Sequence, residues 1–324
     1  MNGKHQPRWD VITVGDVFTD LVMSGFPRWP QPGEESFAAA LHREAGGGAA
    51  ITACGLARLG VRVALLAVIG RDGDWLIERL KSCGVDDELI HRPGGDYAGL
   101  TVSVSTAEDR AFFTYAGSNL VLPELLAADA AARSELSRAR HIHLAFPVMP
   151  ELLTEIATTL HDAGCTVSLD VGWHPDWLSS ARTLPALREV DLFLPNEREA
   201  ELMTGHSEPE KMLRAFADAG LRTVALKLGT SGSALLTNGE IIFCPPVSVD
   251  PVDTTGAGDC FDAGFIYGWL NDRTPDECLR TGNICGALST RGFGGIEPFP
   301  AREELNKNSN HGGRGEHGEE EEKR

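Results

Sequence analysis

Apolar segments of two kinds alternate along most of the 324-residue chain, and this alternation limits the folds open to it. Residues 10–16 are typical of a buried strand that ends in a glycine turn, residues 49–60 of a helix, and residues 61–69 of the next strand. The same rhythm returns between residues 140 and 290. Such alternation predicts βαβ units, and therefore an α/β domain in which a mainly parallel sheet carries helices on both faces.

Two stretches of the chain do not fit this rhythm. Residues 16–45 and 97–115 contain strand-like pieces, and the second stretch includes a hairpin that turns near Glu108 and Asp109. We expect these pieces to form a small β-sheet outside the main layer, such as a lid over a binding site. The alternative is that they are edge strands of the main sheet.

The charge balance disfavours polyanionic partners. The chain has 29 Lys and Arg against 47 Asp and Glu, a formal net charge of −18. Nucleic acids and anionic membrane surfaces are bound by clustered Lys and Arg, so we expect neither as a partner. No apolar run reaches the length of a membrane-spanning helix, about 20 residues. A small anionic ligand needs only a local positive patch and stays compatible with this charge.

Cysteine usage and the chain ends suggest the compartment and the domain limits. The 7 cysteines are odd in number and form no CxxC pair, which is typical of reduced thiols in a cytoplasmic protein. The N-terminus shows no apolar segment of a secretory signal. Residues 306–324 contain no apolar side chain and include a run of glutamates. We therefore expect one domain over residues 10–305, followed by an acidic, disordered tail at residues 306–324.

The segment Asp253-Thr-Thr-Gly-Ala-Gly-Asp259 carries the strongest chemical signal. Apolar residues at helical spacing follow it, which places Gly256, Ala257 and Gly258 at a helix N-terminus. Unpaired backbone N–H groups and the helix dipole make such a turn an anion-binding site, and glycines let a ligand approach the backbone. Asp259 should stay ionised there, within reach of a hydroxyl that attacks a bound phosphoryl group, which is the position of a general base. The alternative is that Asp259 is only a helix N-cap.

Three further segments place glycines or polar groups where ligands bind in α/β sheets. Gly46 and Gly47 precede a predicted helix and would let a ligand lie against the backbone, or would allow tight packing of that helix. Asp20 lies just beyond a strand end. Asn196 and Glu199 follow a buried strand, and their oxygens suit Mg²⁺. The alternative for this pair is an Asn cap on an acidic first helical turn.

Two nucleotide-binding classes lack their fingerprint in this chain. There is no GxxxxGK[ST] element of a P-loop NTPase, and no GxGxxG with the strand, helix and distal acid of a Rossmann dehydrogenase. Both classes are therefore disfavoured.

Taken in order over residues 10–305, these segments resemble the PfkB family of carbohydrate kinases, which has the ribokinase-like fold. The resemblance implies a three-layer αβα domain with a small β-sheet lid. It implies an enzyme that transfers a phosphoryl group from ATP to a sugar hydroxyl, with Mg²⁺ as cofactor. Asp259 would be the base, and the amides of Gly256, Ala257 and Gly258 would form the anion hole. The lid often doubles as a dimer surface in the family, which implies a homodimer.

Further roles follow from the same resemblance. Asp20 would hold two sugar hydroxyls, and the signature that begins at Gly46 and Gly47 would line the sugar pocket. Asn196 and Glu199 are similar to the NxxE motif, which organises Mg²⁺ and the phosphates through water. The remaining implied positions are Lys227, Gly229 and Gly232 for the nucleotide, and Asp253 and Thr255 for a monovalent cation such as K⁺.

Two positions depart from the family's pattern. Where the first signature usually has an Asn that contacts the sugar, this chain has Ile51. Where ribose-type members have an Asn two residues before the sugar-binding Asp, it has Phe18. Both changes remove hydrogen bonds that a hydroxyl-rich ring needs, and so they disfavour ribose itself. An apolar wall also suits a nucleoside base or a substituted sugar. The open alternatives are a nucleoside kinase of the same fold and an inactive member that binds a metabolite.

Overall fold

The structure, a computed structural model, describes residues 7–106 and 110–310. Within these ranges the strands are β1 (Trp9–Gly15), β2 (Phe18–Phe26), β3 (Ala40–Gly46), β4 (Val63–Val68), β5 (Ile90–His91), β6 (Gly99–Thr106), β7 (Arg110–Tyr115), β8 (Ala139–Ala145), β9 (Thr166–Leu169), β10 (Leu192–Phe193), β11 (Thr223–Lys227), β12 (Ser233–Thr237) and β13 (Glu240–Cys244). The α-helices in the same ranges are α1 (Gly48–Arg58), α2 (Asp74–Ser82), α3 (Leu122–Ala128), α4 (Ala130–Leu136), α5 (Pro150–Asp162), α6 (Pro175–Leu178), α7 (Thr183–Ala186), α8 (Glu197–Thr204), α9 (Pro209–Asp218), α10 (Ala257–Leu270), α11 (Pro275–Ser289) and α12 (Arg302–Asn310).

A nine-stranded sheet forms the middle layer, in the order β13-β12-β11-β10-β9-β8-β1-β4-β5. The strands from β11 to β5 run parallel to their neighbours. The hairpin of β12 and β13 adds two antiparallel strands at one edge. The predicted mainly parallel sheet is confirmed.

Alternate residues of the parallel strands pack on opposite faces of this sheet. Ile12 and Val14 of β1 belong to a core shared with α5 and α9, whereas Val11 belongs to a second core shared with α1, α10 and α11. Strands that are buried on both faces are expected where helices cover both sides of a parallel sheet. The arrangement is the three-layer αβα fold that the sequence predicts.

The two stretches outside the α/β rhythm form a separate four-stranded sheet, the lid sheet, in the order β3-β2-β6-β7. β2 and β6 are parallel, and the two outer pairs are antiparallel. The alternative that these strands are edges of the main sheet is therefore wrong. Asp20 of β2 lies opposite Glu44 of β3 and Thr101 of β6, on one face of the lid sheet. Glu108 and Asp109, where the sequence predicts the hairpin turn, lie outside the described residues.

Small residues let the helices on one side of the main sheet approach closely. A Cβ atom on Gly55 of α1 would lie 2.8 Å from the Cβ of Ala263 in α10. A Cβ atom on Gly264 of α10 would lie 2.7 Å from the carbonyl oxygen of Thr281 in α11. Because close-packed interiors do not tolerate such contacts, these positions need glycine. The resulting proximity of α1 and α10 matters for the site, since the N-termini of these helices meet there.

The end of the chain differs from the sequence prediction. α12 continues to Asn310, so the predicted start of the tail at residue 306 is wrong. Two hydrogen bonds explain how this polar segment stays helical. The side-chain amide of Asn308 donates to the carbonyl of Glu304, and Arg280 of α11 donates to the carbonyl of Asn308. Residues 311–324 lie outside the described part of the chain. Among the described helices, none is long and apolar enough to cross a membrane.

Candidate active site

Three glycines at the start of α1 lie between two carboxyl groups. A Cβ atom on Gly46 would overlap the carboxyl group of Asp20, and one on Gly48 would lie 2.9 Å from Oδ1 of Asp259. Gly47, between them, has a φ of 94° that other residues rarely adopt. The structure therefore brings together four residues that the sequence singles out as parts of one site, namely Asp20, Gly46, Gly47 and Asp259.

The helix that carries Asp259 begins at a glycine turn. Gly256 is the N-cap residue, with a φ of 74° in the left-handed region, and no side chain caps the helix. Asp259 lies inside the first turn of α10, so the alternative that Asp259 is the N-cap is wrong. Gly256 therefore offers no side-chain acceptor to the first-turn N–H groups of α10, and the positive end of the helix dipole points out of the turn formed by Gly256, Ala257 and Gly258. Such a turn can bind an anion.

Burial controls the charge of Asp259. Its pKa is raised to about 7, chiefly by burial and then by the charge of Asp170, while Lys227 and a backbone N–H group act in the opposite direction. Burial thus opposes the helix N-terminus, which favours the ionised form of Asp259, and it moves the pKa of this carboxyl group towards neutral pH. A carboxyl group with a pKa near 7 is well matched to general-base catalysis.

Asp16 directly follows β1, and Asp20 lies near the start of β2. The pKa of Asp20 is raised to about 7 by burial and by the charges of Asp259, Asp253 and Glu44. The pKa of Asp16 is raised to about 6 by burial. The sequence analysis missed Asp16, although it directly follows a strand end, the same signal that indicated Asp20.

Asn196 and Glu199 form a reciprocal cap at the start of α8. The Glu199 N–H donates to the side chain of Asn196, and the Asn196 N–H donates to the carboxyl group of Glu199, both at 2.9 Å. The helix-cap alternative is therefore what the structure contains at this motif. Glu199 is only 1% exposed, and its pKa is raised to about 7 by burial and then by Asp170. A role of this pair in Mg²⁺ binding stays a prediction.

Lys227, which is predicted to face the nucleotide, forms ion pairs with two buried carboxyl groups. Its Nζ lies 2.6 Å from Oδ2 of Asp170 and 3.1 Å from Oδ1 of Asp262. Burial would lower the pKa of Lys227, but the two aspartates raise it above its usual value. Lys227 therefore stays charged, and it lies beneath the first turn of α10, since a Cβ atom on Gly258 would be 3.6 Å from Nζ.

Asp170 and Asp262 are site residues that the sequence analysis missed. Carboxylate oxygens of Asp170, Asp259 and Asp262 all lie within 4.8 Å of one another. Burial would raise the pKa of Asp170, yet Lys227 and hydrogen bonds lower it to about 2, whereas burial raises the pKa of Asp262 well above its usual value. The available signals were weak: Asp170 follows a strand end, and Asp262 is a polar residue on an apolar helix.

A cavity of about 480 Å³ opens beside the first turn of α10. Lys227, Gly229 and Gly232, the residues predicted to bind the nucleotide, all line it. Its remaining walls are mostly small and apolar, and the sequence analysis did not single them out: Pro246, Val247, Val249, Pro251, Phe261, Gly286 and Ala287. A concave apolar space beside an anion-binding turn suits a ligand with a flat base and phosphates.

The predicted cation-binding pair, Asp253 and Thr255, shapes the turn before α10. Oδ1 of Asp253 accepts hydrogen bonds from the N–H and the hydroxyl of Thr255, at 3.1 and 2.8 Å. Oδ2 of Asp253 accepts one from the N–H of Gly294 at 3.0 Å. These bonds fix the anion-binding turn. Binding of a monovalent cation by this pair stays a prediction.

Ile51 and Phe18, the two apolar departures from the family's pattern, contact different parts of the site. Ile51 is 3% exposed and packs against the anion-binding turn, since its Cδ1 would lie 2.8 Å from a Cβ atom on Gly256. Phe18 is half-buried at the start of the lid sheet, opposite Gly46 of β3 and with its ring against Gly99. Both therefore lie next to residues of the site, and neither offers a hydrogen bond.

Comparisons with known proteins agree with this geometry. Residues 10–302 match the family model described as pfkB family carbohydrate kinase. The chain is 31% identical over 269 residues to the 2-dehydro-3-deoxygluconokinase of Bacillus subtilis, covering 78% of this chain and 82% of that protein. It is 32% identical over 293 residues to the ATP-dependent ribose-1-phosphate kinase of Halopiger xanaduensis, covering 90% and 94%.

The structural comparison leads to the same family. The structure of Arabidopsis thaliana ribokinase complexed with ribose and ATP matches with a TM-score of 0.83 at 26% identity, over 93% of this chain and 98% of that one. The ribokinase-like fold is therefore confirmed. Because the family match spans nearly the whole chain and the relatives are named as kinases, the chain belongs to the pfkB family of carbohydrate kinases and is a phosphotransferase of that family.

Proposed function

We propose that the protein is an ATP-dependent kinase that phosphorylates a hydroxyl group of a small sugar or sugar derivative. The observation that carries this proposal is the position of Asp259. Its carboxyl group lies beside Gly48 and acts electrostatically on Asp20 of the lid sheet, while its chain neighbours Ala257 and Gly258 line the cavity. A base in that position can reach a hydroxyl of one ligand and a phosphoryl group of another.

Each part of the site has a role in the proposed reaction. Ionised Asp259 accepts the proton of the acceptor hydroxyl, and the hydroxyl oxygen bonds to the γ-phosphorus of ATP while the bond to ADP breaks. The amides of Gly256, Ala257 and Gly258 stabilise the negative charge that develops on the phosphoryl oxygens. Asp20 holds other hydroxyls of the acceptor, beside Gly46 and Gly47.

The cofactors are ATP and Mg²⁺. The nucleotide would bind in the cavity lined by Lys227, Gly229 and Gly232, and the volume of about 480 Å³ supports this assignment. Mg²⁺ usually keeps several waters, so the buried Glu199, held by Asn196, would act on it through water rather than directly. Mg²⁺ would neutralise charge on the phosphates. A K⁺ ion near Asp253 and Thr255, a homodimer formed through the lid sheet and a cytoplasmic location remain predictions, as does the disorder of the tail.

A nucleoside kinase of the same fold is the second candidate. Ile51 and Phe18 favour it, because they put apolar surface where the family's pattern has polar side chains, Ile51 beside the anion-binding turn and Phe18 opposite Gly46. A member without catalytic activity that only binds a metabolite is the third candidate. The retention of Asp259 at the anion-binding turn disfavours it, since binding alone does not need a base.

A screen of ADP release with sugars, sugar acids and nucleosides identifies the acceptor, and Asp259→Asn then tests the mechanism. We expect this variant to lose activity by about 100-fold or more while still binding ATP in a calorimetric titration. Asp218→Asn, which changes an exposed carboxyl group of α9, is the matched control and should keep full activity. Turnover by Asp259→Asn close to that of the unchanged protein would contradict the assignment of the base.

A further inference from the structure

The ion pairs of Lys227 fix a positive charge close to the proposed base. Nζ of Lys227 is held by Asp170 and Asp262, as described above. A Cβ atom on Gly258, the residue before Asp259 in the chain, would lie 3.6 Å from this Nζ. Because the side chains of this cluster are buried, water screens the charge of Lys227 poorly, and the charge acts strongly on neighbouring groups.

A negative charge of the same cluster also lies close to Asp259. Carboxylate oxygens of Asp170, Asp259 and Asp262 lie within 4.8 Å of one another. Burial raises the pKa of Asp262 well above its usual value, so this carboxyl group is protonated at neutral pH and adds no charge. Asp170 is ionised, because Lys227 and hydrogen bonds outweigh the burial that would otherwise raise its pKa. Two opposite charges, those of Lys227 and Asp170, therefore act on Asp259 from this cluster.

The other elements described around Asp259 contribute carboxyl groups and a neutral histidine. The charge of Asp259 acts on Asp20 of β2 and on Glu199 of α8, and the pKa of each is raised to about 7, chiefly by burial. His143 of β8, on which the charge of Asp170 acts, is fully buried; burial lowers its pKa to about 4 and keeps it neutral. Among the described groups that shift the pKa of Asp259, Lys227 is thus the one cation.

We propose that Lys227 and Asp170 are positioning residues of the phosphoryl transfer, because their opposite charges lie beside Asp259 and determine the pH at which this base accepts a proton. The positive charge of Lys227 favours the ionised form of Asp259, and the negative charge of Asp170 opposes it. Without Lys227 the buried base would stay protonated at higher pH, and without Asp170 it would ionise more readily and become a weaker base. The inference rests on the proposed function, in which Asp259 takes the proton of the acceptor hydroxyl, and extends it to two side chains that act through Asp259.

A cycle of four proteins tests the two charges, namely the unchanged protein, Lys227→Gln, Asp170→Asn and the double variant. The pH dependence of kcat/KM is measured for each at saturating MgATP, with the acceptor that the ADP-release screen identifies, because its acidic limb reports the pKa of the base. We expect the midpoint of this limb to rise by about 1 pH unit or more in Lys227→Gln and to fall by about half a unit or more in Asp170→Asn. The double variant lacks both charges, so its midpoint should return to within about half a unit of that of the unchanged protein.

A merely structural role of the pair does not produce this pattern, since the double variant is the most altered of the four proteins and yet should titrate like the unchanged one. Equal midpoints in all four proteins, or shifts of the same sign in both single variants, overturn the inference. If Lys227→Gln does not fold, Asp170→Asn decides: a lower midpoint supports the inference, and an equal or higher one overturns it. Asp218→Asn removes the same charge from an exposed position on α9 and should leave the midpoint unchanged.

NMR of isotopically labelled aspartate carboxyl groups separates this inference from the proposed function, because it measures the pKa of Asp259 without turnover. Asp259→Asn assigns the signal, and the pKa is then followed in the four proteins of the cycle. The expected order of pKa values in a protein that phosphorylates no acceptor would contradict the proposed function and support the control of Asp259 by the pair. Kinase activity in a protein in which the pKa of Asp259 responds to neither single variant would support the proposed function and overturn the inference.

Discussion

Lys227 carries a positive charge into the core, and its partners come from distant parts of the chain. The sequence indicates a polar residue at the end of a strand, but not that Asp170, which directly follows β9, and Asp262 of α10 lie against it. Local patterns of hydrophobicity describe the element on which a residue lies and not the side chains that it meets across the fold. The role of Lys227 in nucleotide binding stays a prediction, and the residue lines the cavity.

Removal of Lys227 tests this buried ion cluster. Lys227→Met would leave the carboxylate of Asp170 without a counter-charge and Asp262 without its hydrogen-bond donor, and we expect the free energy of unfolding to fall by about 3–5 kcal/mol. Urea unfolding measures this loss. The control is Lys211→Met, at an exposed lysine paired with Glu208 on the surface, which should change stability by less than about 1 kcal/mol. A similarly small loss for Lys227→Met would mean that the cluster contributes little.

The raised pKa values of Asp20 and Asp259 predict an unusual dependence of stability on pH. Both values are about 7, against an ordinary value of 3.8. Between these values the folded protein holds protons that the unfolded chain has lost. The free energy of unfolding therefore falls as the pH rises from about 4 to about 7, by about 1.4 kcal/mol for each unit of pKa difference.

The variant Asp259→Asn isolates the contribution of Asp259 to the pH dependence of stability, because the side-chain amide of Asn does not titrate between about pH 4 and about pH 7. Relative to the unchanged protein, the variant should gain stability steadily from pH 5 to pH 7.5, as measured by urea unfolding at each pH. Asp218→Asn, on the surface, should show a constant difference. If Asp259→Asn also shows a constant difference, the pKa of Asp259 is not raised in the folded protein.

At the scale of elements, long periodic segments were predictable and short ones were not. The predicted helix at residues 49–60 and the predicted strand at residues 61–69 agree with α1 and β4 to within two residues at each end. The sequence analysis missed α3 and α4, because helices of about two turns show too few repeats for a periodic pattern. It also missed α12, a mostly polar helix that is held by a hydrogen bond from Arg280 of α11 to the carbonyl of Asn308.

The close approach of Gly48 in α1 to Asp259 in α10 leads to a prediction about catalysis. Gly48→Ala would place a methyl group 2.9 Å from Oδ1 of Asp259 and would push the carboxyl group out of position. We expect kcat to fall by about 10- to 100-fold, with the melting temperature nearly unchanged because Gly48 is only half-buried. Gly95→Ala is the control, since a Cβ atom there meets nothing within 4 Å. Full activity of Gly48→Ala would mean that Asp259 can shift without loss of function.

At the scale of the whole molecule, the parallel sheet explains why distant segments form one site. Asp20, Asn196 and Asp259 are far apart in sequence, yet each follows a strand of the sheet or begins a helix beside its end, and the carboxyl ends of parallel strands share one edge. The sequence therefore predicted which segments meet. It did not predict the burial that raises the pKa values of the acidic groups, because burial depends on how the lid sheet and the helices close around them.

The net charge of −18 bears on how this molecule meets an anionic nucleotide. The positive potential proposed to bind ATP comes from backbone amides at one helix N-terminus and not from a basic patch on the surface. The surface as a whole should therefore repel ATP at long range. Salt shortens this repulsion, since the Debye length falls from about 30 Å at 0.01 M to about 10 Å at 0.1 M ionic strength.

We therefore expect the association rate of a fluorescent ATP analogue, measured by stopped flow at fixed Mg²⁺ concentration, to rise severalfold between about 0.01 and 0.3 M salt. A protein that attracts ATP through a basic patch would show the opposite trend. Adenosine, which is uncharged, serves as the control, and its rate should not depend on salt. A rate for the ATP analogue that falls with salt would mean that local positive charge, rather than the net charge of the molecule, governs the approach of the nucleotide.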